Sequence, residues 1–319
     1  MKLRLVTAVG LLCAACSAVA AEYPSRPIRI IVTFTPGSAS DLLARMFGPK
    51  LHEVWGQQVV VDNRPSAGGT VGGGIVASAT PDGHTLLLTS SAFAGSAALY
   101  DKLPYDSIRD FRGVSLVAQT ALALVVSTTL GPKNVKELIA LAKQKPGQLN
   151  FGSSGIGSGT HYGGELFNLA AGIKAVHVPY KGTPEVIIDT IAGRMHYAMS
   201  PLLAAVPHVR AGRLMAVGVT SPQRLPMIPE VPTIAEAALP GFEYQGWFGV
   251  IAPARVPRPV INRLSAEIGR IIATPEIQER ISRDGSSPTS STPEAFDKLI
   301  REEIATRTKV FKAAGAKAE

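Results

Sequence analysis

Residues 28–55 read IRIIVTFTPGSASDLLARMFGPKLHEVW and contain the pattern that decides the fold. An apolar, β-branched run, Ile28–Phe34, is followed by a short loop and then by Asp41–Trp55, where apolar residues recur three and four positions apart. The run is typical of a buried strand, and the second spacing is typical of an amphipathic helix, which ends at Gly56. The stretch therefore predicts one strand–loop–helix unit of an α/β protein.

The same alternation continues along most of the chain. Further strands are predicted at Gln58–Asp62, Thr85–Ser90, Leu149–Gly152, Ala175–Pro179, His196–Ser200 and Leu214–Thr220. Helices are predicted at Thr70–Ala79, Val135–Lys143, Tyr162–Ala171, Pro184–Ala192 and Ala204–Ala211, followed by Pro257–Ile272, Pro275–Asp284 and Pro293–Ala313. Strands that alternate with helices of this length favour mainly parallel sheets with helices on both faces.

Two extended stretches, Phe111–Ser127 and Tyr244–Pro253, are longer than the other predicted strands. We interpret them as crossovers between two α/β lobes, which makes one lobe discontinuous. Lobe 1 then comprises residues 22–120 and 247–319, and lobe 2 comprises residues 121–246. Two crossing strands act as a hinge, and a ligand is expected in the cleft between the lobes.

The N-terminal segment, residues 1–21, has the composition of a secretory signal peptide. Basic residues precede an apolar core that is too short to span a bilayer, and Ala18-Val19-Ala20 predicts cleavage near residues 20–21. The chain's two cysteines, Cys13 and Cys16, fall inside this segment, which argues against a redox or metal role. Export to the periplasm is predicted, and lipid attachment at Cys16 is the alternative.

Composition excludes several classes of protein. Of the 319 residues, 46% are hydrophobic and 18% are charged, which excludes a disordered chain. The formal net charge is +8, and it falls to +6 without Lys2 and Arg4 of the leader. These charges are spread without a basic run, so nucleic acid is not an expected partner, whereas a small anionic ligand is compatible with them. No later apolar run reaches about 18 residues, so no membrane span is expected.

The loop after the first strand contains the candidate ligand-binding residues Pro36, Gly37, Ser38 and Asp41. Gly37 allows a sharp turn, and the amides at the start of the next helix bind a carboxylate or phosphate without a cationic side chain. Ser38 and Asp41 also have the spacing of a capping box, in which Asp41 serves the helix itself. Both interpretations of the Asp41 carboxylate stay open here.

A second loop, residues 152–161, also leads from a strand into a helix and contains Ser153, Gly159, Thr160 and His161. Its four glycines and four hydroxyl groups expose backbone amides at a helix N-terminus, which suits an anion. The alternative is a flexible loop capped by Ser or Thr, and His161 fits a capping role as well as a ligand role. The two loops are predicted to lie in different lobes and to face each other across the cleft.

Common catalytic and cofactor motifs do not occur in the sequence. Thr160 occupies the third glycine position of G-x-G-x-x-G, and neither a G-x-S-x-G elbow nor a phosphate-binding Gly-Lys pair is found. The six histidines show no metal-ligand spacing, so no metal or other cofactor is expected. A serine hydrolase built from distant residues stays open, because catalytic triads are recognised by geometry.

Several short motifs occur in a fixed order after the leader. They are Tyr23-Pro-Ser-Arg-Pro-Ile28, Pro36-Gly37 with Asp41, Asn63-Arg-Pro65 with Ala67-Gly-Gly69, Pro81-Asp-Gly83, Leu103-Pro-Tyr-Asp106 with Asp110-Phe111, Gly155 to Phe167, Val178-Pro-Tyr-Lys-Gly182, Val231-Pro-Thr233 with Ala235-Glu236, and Pro240-Gly-Phe-Glu243. Together they resemble the motifs of Bug-type substrate-binding proteins of tripartite tricarboxylate transporters. The resemblance covers nearly the whole chain after the leader.

This resemblance implies a two-lobed periplasmic-binding-protein fold of type II-like architecture that closes on a small carboxylate. It implies membrane subunits of a tripartite transporter as partners, and a ligand held largely through backbone amides of the two loops. By motif position, the contacts fall to Pro36, Gly37, Ser38, Asp41, Ser153, Gly159, Thr160 and His161, and Ser90 and Ser200 are added as the ends of predicted strands near the cleft. Ser38 stands where a second glycine is common, so the contact there is expected to differ from that in relatives.

The sequence leaves the identity of the ligand open between aliphatic and aromatic acids, mono- and dicarboxylic acids, and amino acids. We interpret the protein as a monomeric receptor without catalytic residues. Two alternatives remain: a secreted hydrolase of a small ester that uses the same cleft, and a receptor that presents its ligand to a sensor instead of a transporter.

Overall fold

The structure, a computed structural model, describes residues 23–66, 69–283 and 285–318. The predicted signal peptide, with Cys13 and Cys16, lies outside the described residues. Within the described ranges, no helix is both long enough and apolar enough to cross a membrane.

Strands and helices alternate along the described chain. The strands are β1 (Ile28–Val32), β2 (Val59–Asn63), β3 (Thr85–Ser90), β4 (Phe111–Thr120), β5 (Leu122–Ser127), β6 (Leu149–Ser153), β7 (Ala175–Pro179), β8 (Tyr197–Pro201), β9 (Leu214–Val219), β10 (Gly246–Pro253) and β11 (Ser286–Pro288). The helices are α1 (Ala39–Trp55), α2 (Thr70–Ala77), α3 (Ala92–Leu99), α4 (Val135–Gln144), α5 (Gly159–Ala171), α6 (Thr183–Ile191), α7 (Leu202–Arg210), α8 (Ile234–Ala237), α9 (Arg258–Ile272), α10 (Pro275–Arg283) and α11 (Pro293–Ala314).

Most predicted elements are found close to their predicted bounds, and the differences have local causes. Helix α1 begins two residues earlier than predicted because Ser38 caps it, and α5 begins three residues earlier because Ser158 caps it. Helices α3 and α8 and the short strand β11 were not predicted. Because α3 consists almost entirely of small and apolar residues, it has no polar face that periodicity would detect.

The strands form two mixed sheets. Strand order is β11-β4-β10-β3-β1-β2 in the first sheet and β7-β6-β8-β5-β9 in the second. Strand β1 pairs in parallel with β2 and β3, and β6 pairs in parallel with β7 and β8, as the strand–helix alternation predicts. The pairs made by β4, β5 and β10 with their neighbours are antiparallel, because these strands carry the chain between the sheets and back. The predicted fold class is confirmed, but the sheets are mixed rather than mainly parallel.

The chain crosses between the two sheets at two adjacent places. Thr120 ends β4 in the first sheet and Leu122 begins β5 in the second, so Ala121 alone separates these strands. On the way back, the amide of Tyr244 donates to the carbonyl of Thr220 (2.8 Å), and the Thr220 hydroxyl accepts from the amide of Leu122 (2.9 Å). The crossings thus share hydrogen bonds, and the lobe boundaries predicted from them remain our proposal.

Each sheet has buried hydrophobic residues on both of its faces. In the first sheet, α1, α9 and α10 cover one face and α2, α3 and α11 cover the other. In the second sheet, α4 and α5 pack on one face and α6 and α7 pack on the other. Each lobe therefore has three layers, and the loops between strands and helices are free to line a cleft.

Helix α11 contacts the cores of both sheets. Near its start, Phe296 packs edge-to-face on Trp247 of β10, with 5.1 Å between the ring centroids. Near its end, Phe311 packs on Tyr162 of α5, with 5.7 Å between the centroids. The helix has 22 residues and is about 33 Å long, which is enough to bridge the two sheets.

We expect Phe296→Ala to lower the free energy of unfolding by about 3–5 kcal/mol, because the ring is fully buried against Trp247. Urea unfolding measures the change. Val54→Ala, at an exposed position, is the control and is expected to change the free energy by about 0.5 kcal/mol or less. Equal stability of Phe296→Ala and the wild type would contradict this account of how α11 is held.

Candidate functional site

The loop after β1 turns sharply and starts α1. Gly37 has a φ of +82°, in the left-handed region that favours glycine. The Ser38 hydroxyl accepts a hydrogen bond from the amide of Asp41 (3.3 Å), and the Asp41 carboxylate accepts one from the amide of Gly37 (2.9 Å). Both side chains therefore stabilise the helix N-terminus, as in the capping arrangement considered from the sequence.

The Asp41 carboxylate is buried and paired within its own loop. The Nε of Arg45 donates to both carboxylate oxygens at 3.0 Å. Burial raises the pKa of Asp41, but hydrogen bonds from Arg45 and from the Gly37 amide outweigh that effect and hold the pKa below its usual range. Asp41 is thus an ionised structural group, and its charge would repel an anionic ligand in direct contact.

The second loop is built in the same way in the other sheet. Ser158 caps α5, and its hydroxyl accepts from the amide of His161 (3.1 Å) and lies 2.9 Å from the Thr160 hydroxyl. Gly159, the first residue of α5, has no room for a side chain, because a Cβ there would lie 2.8 Å from the hydroxyl oxygen of Tyr244. The N-terminus of α5 therefore faces the returning crossover directly.

His161 lies under this loop in a stacked pair of histidines. Its Nδ1 accepts from the amide of Gly157 (3.2 Å), and its ring stacks on His177 with 3.8 Å between the centroids. The Ser153 hydroxyl lies 2.6 Å from Nε2 of His177. Burial lowers the pKa of His177 to about 3, and His161 adds to this effect. His177 is therefore neutral at physiological pH, and the stacked pair supports the loop from its buried side.

A third helix N-terminus, that of α3, reaches the same region. Ser90 ends β3, and its hydroxyl accepts from the amide of Ala92 (3.3 Å). Ser91 precedes α3, and its hydroxyl lies 3.4 Å from the hydroxyl of Tyr244. The signal that was available in the sequence is the Ser-Ser pair at the end of a predicted strand, where Ser91 takes the N-cap position.

The N-termini of α1, α3 and α5 surround one cavity of about 200 Å³. Hydroxyl-bearing residues on its wall are Ser38, Ser40, Ser90, Ser91, Thr120, Ser154, Ser158 and Thr160. The apolar part of the wall comes from Phe34, Leu122, Trp247 and Phe248, and Tyr244 contributes an aromatic ring with a hydroxyl group. None of the described residues that line the cavity carries a charge at neutral pH.

This arrangement suits an anion with a short apolar body. An α-helix leaves its first amides without partners inside the helix, and its N-terminus carries a partial positive charge. The helices α1, α3 and α5 have 17, 8 and 13 residues, and they approach the cavity from both sheets. Amides and hydroxyl groups supply donors for an anion, and the apolar wall accommodates a hydrocarbon chain.

The structure brings four of the predicted site residues together on the cavity wall: Ser38, Ser90, Gly159 and Thr160. The other predicted residues lie outside the lining, namely Pro36, Gly37, Asp41, Ser153, His161 and Ser200. Of these, Ser200 is buried and donates to the carbonyl of Pro201 (3.3 Å), and the side chains of Asp41, Ser153 and His161 support the loops.

Six lining residues with a hydroxyl group were missed from the sequence: Ser40, Ser91, Thr120, Ser154, Ser158 and Tyr244. Ser40 and Ser158 are neighbours of predicted residues in the two capping loops. Tyr244 is the first residue of the stretch interpreted as the returning crossover, which was the signal available for it.

Two α/β lobes joined by crossing strands, with strand–helix loops of both lobes around one cavity, define a solute-binding protein. Residues 43–316 match the family model described as the tripartite tricarboxylate transporter family receptor. The chain belongs to this family, and the predicted resemblance is confirmed.

Solved structures of similar proteins agree with this assignment. The chain is 32% identical to Rpa4515 of R. palustris, solved with adipate, with a TM-score of 0.83 over 92% of this chain and 99% of that one. It is 30% identical to the periplasmic binding protein BugD, with a TM-score of 0.79 over 93% and 100% of the two chains. It is 29% identical to MatC of Rhodopseudomonas palustris, solved with malate, with a TM-score of 0.79 over 90% and 99%.

We expect Asp41→Asn to destabilise the protein at pH 7 by about 1–3 kcal/mol, because the buried side chain would lose the charge that accepts hydrogen bonds from Arg45 and from the Gly37 amide. The pKa of Asp41 is lower in the folded protein, so the carboxylate stabilises the fold above about pH 4, its ordinary pKa, and that contribution is lost as the pH falls through its folded value. The difference between the variant and the wild type should therefore shrink in acid.

Urea unfolding of both proteins at pH 7 and at pH values below 4 measures this effect. Asp101→Asn, at an exposed position, is the control and should follow the wild type at every pH. A stability difference for Asp41→Asn that stays constant between neutral and acidic pH would contradict the role given to the ionised carboxylate.

Proposed function

We propose that the protein is an exported receptor that captures a small carboxylate in the cavity between its lobes and delivers it to the membrane subunits of a tripartite transporter. The observation that carries the proposal is the convergence of three helix N-termini, from both sheets, on one cavity whose described lining is uncharged. Family membership supports the transport role.

The chemistry of the wall favours a carboxylate with an aliphatic body. Backbone amides and serine hydroxyl groups can donate to carboxylate oxygens, and Phe34, Trp247 and Phe248 face the same space. The volume of about 200 Å³ lies below that of common drug-binding pockets, about 300–1,000 Å³, so the occupant is small. The adipate of Rpa4515 and the malate of MatC belong to this size class, and we propose a dicarboxylate of similar length here.

We propose that the predicted residues divide into two groups. Ser38, Ser90, Gly159 and Thr160 contact the ligand together with Ser91 and Tyr244, because all six line the cavity. The second group stabilises the two loops or the end of β8 without lining the cavity, and it comprises Pro36, Gly37, Asp41, Ser153, His161 and Ser200.

Ligand capture requires the two lobes to approach each other, and a glycine contact supports this closed arrangement. Gly95 of α3 lies against the loop that precedes α5, so closely that a Cβ at Gly95 would overlap the carbonyl oxygen of Gly157. A ligand that touches α1 or α3 on one side and α5 on the other stabilises this arrangement. We infer that binding and lobe closure are one coupled event.

The proposed location is the periplasm. Residues 1–21 supply the export signal, with cleavage near residues 20–21, and the similar protein BugD is a periplasmic binding protein. The expected partners are the small carboxylate and the transporter's membrane subunits, and we expect the receptor to act as a monomer.

A hydrolase in the same fold would need an activated nucleophile, and the contact between Ser153 and His177 is poorly suited to activate one. Ser153 and His177 lie 2.6 Å apart, but neither lines the cavity. The pKa of His177, lowered to about 3 by burial, makes it a weak general base at neutral pH. These observations support a binding role without catalysis.

A thermal-shift screen tests the proposed function. We expect C4 to C6 dicarboxylates, including malate and adipate, to raise the melting temperature of the wild type, because binding stabilises the folded state. Sugars and simple cations should have no effect, and an ester substrate should not turn over. A protein stabilised only by sugars or cations, or one that hydrolyses the ester, would contradict the proposal.

The variant Gly159→Ala tests the place of binding. Its Cβ would lie 2.8 Å from the Tyr244 hydroxyl and would crowd the N-terminus of α5, so we expect affinity to fall about tenfold or more while the fold is kept. Gly269→Ala on α9, whose Cβ would make only ordinary van der Waals contact with Ser290 at 4.0 Å, is the matched control. Calorimetric titration measures the affinities of both variants. Equal affinities would mean that the ligand does not bind at the N-terminus of α5.

The variant Gly95→Ala tests closure. The added methyl group would meet the carbonyl of Gly157, so we expect the lobes to stay farther apart, with weaker binding and a larger radius of gyration in the presence of ligand. Alanine is a better helix former than glycine, so α3 itself should not suffer. X-ray scattering with and without ligand measures the difference, and Gly74→Ala on α2 is the control. If Gly95→Ala and the wild type had the same radius of gyration with ligand bound, the coupling between binding and lobe closure would be contradicted.

A further inference from the structure

Arg307 on α11 is a fully buried cation directly behind the cavity wall. We propose that Arg307 supplies the positive charge of the ligand site through Tyr244, so that a positioning residue on the C-terminal helix sets the preference for an anion. The inference rests on the proposed function, because it takes the carboxylate to occupy the cavity that Tyr244 lines.

The guanidinium group is enclosed by aromatic rings from different parts of the chain. Its central carbon lies 4.1 Å from the ring centroid of Tyr162 on α5 and 5.6 Å from that of Tyr244. Its Nη2 donates to the Tyr244 hydroxyl at 3.1 Å. Cation–π contacts of this kind gain strength away from water, so the charge is held in place at the junction of the crossover with α5.

The charge of Arg307 is only partly neutralised. On one side its Nε donates to Glu303 at 3.0 Å, whereas on another side its Nη2 donates to a hydroxyl group, that of Tyr244. The Nη1 of Arg307 has no hydrogen-bond partner among the described residues. The Nη2 side of the buried guanidinium, which faces Tyr244, thus meets a hydroxyl group rather than a carboxylate, and its positive potential is directed at that hydroxyl.

Tyr244 transmits this charge to the cavity. A phenol hydroxyl has one proton to donate, and because its oxygen accepts from Arg307, the proton is available for another acceptor. Two features lie around this hydroxyl: the Ser91 hydroxyl at 3.4 Å, and Gly159, whose Cβ would lie 2.8 Å away. The polarised phenol therefore stands where the N-termini of α3 and α5 meet, and it can donate to a carboxylate oxygen there.

Arg307 reaches this position only because α11 contacts both lobes. Its neighbours Tyr162 and Phe311 belong to the core of the second sheet, while the start of the helix packs on the first. A lining free of charged side chains can thus be combined with a cation that makes no direct contact with the ligand. An alternative, purely structural role would use the guanidinium only to fill space between the two tyrosines.

Substitutions at Arg307 separate these roles. Arg307→Met keeps length and apolar packing but removes the charge, whereas Arg307→Lys keeps the charge. We expect Arg307→Met to weaken adipate binding about tenfold or more, and Arg307→Lys to retain more of the affinity than Arg307→Met. A space-filling role predicts the opposite order. Arg301→Met, an exposed position on the same helix, is the control and should bind like the wild type.

The path through Tyr244 is tested by a double-mutant cycle. Tyr244→Phe should weaken adipate binding about as much as Arg307→Met. The affinity of the double variant should be no lower than that of the single variant with the lower affinity, because the two substitutions interrupt the same path. Affinities are measured by calorimetric titration with adipate, and melting temperatures without ligand report any change in stability. Additive losses in affinity would overturn the path through Tyr244.

The possible failures are distinguishable. A wild-type protein that binds no carboxylate would overturn the proposed function and this inference with it. A wild-type protein that binds adipate, while Arg307→Met binds it equally tightly, would overturn the inference alone. If Arg307→Met does not fold, Tyr244→Phe carries the test, since it removes a single oxygen atom, and unchanged affinity in that variant would overturn the inference.

Discussion

Backbone amides at helix N-termini bind an anion well only when several of them point at one enclosed volume, and the rest of this structure depends on that constraint. The N-termini of α1 and α3 come from the first sheet and that of α5 from the second, so the lobes have to approach closely. Glycines at the contacts make the approach sterically feasible: Gly95 against Gly157, and Gly159 against Tyr244.

A second consequence is that the hydrogen-bond donors of the cavity wall are separate from the charged side chains. The described lining consists of hydroxyl-bearing and apolar residues, while the charged groups nearby are paired behind it. Asp41 with Arg45 stabilises the first loop, and the stack of His161 on His177 supports the second. Arg307 behind Tyr244 fits the same design, because a cation there polarises a donor without facing the ligand.

The agreement between the predicted and observed fold is greatest where a pattern is local. The strand Thr85–Ser90 and the strand Ala175–Pro179 are found with their predicted bounds, because β-branched or apolar runs between turn residues determine them. The mixture of parallel and antiparallel strands was harder to predict from the sequence. The antiparallel direction of β4, β5 and β10 follows from how the chain crosses between the lobes. Helix α3 was not predicted, because its small and apolar residues show no helical periodicity.

The sequence by itself determined the class of fold and the two capping loops, because capping residues and turn glycines act over a few neighbouring positions. Only the tertiary structure decided which side chains face the cavity. Ser38 and Ser90 line it, whereas Asp41 and His161 turn to partners inside their own loops. Tyr244 and its contact with Arg307, 63 positions further along the chain, arise from the crossover and from the packing of α11, which no local pattern encodes.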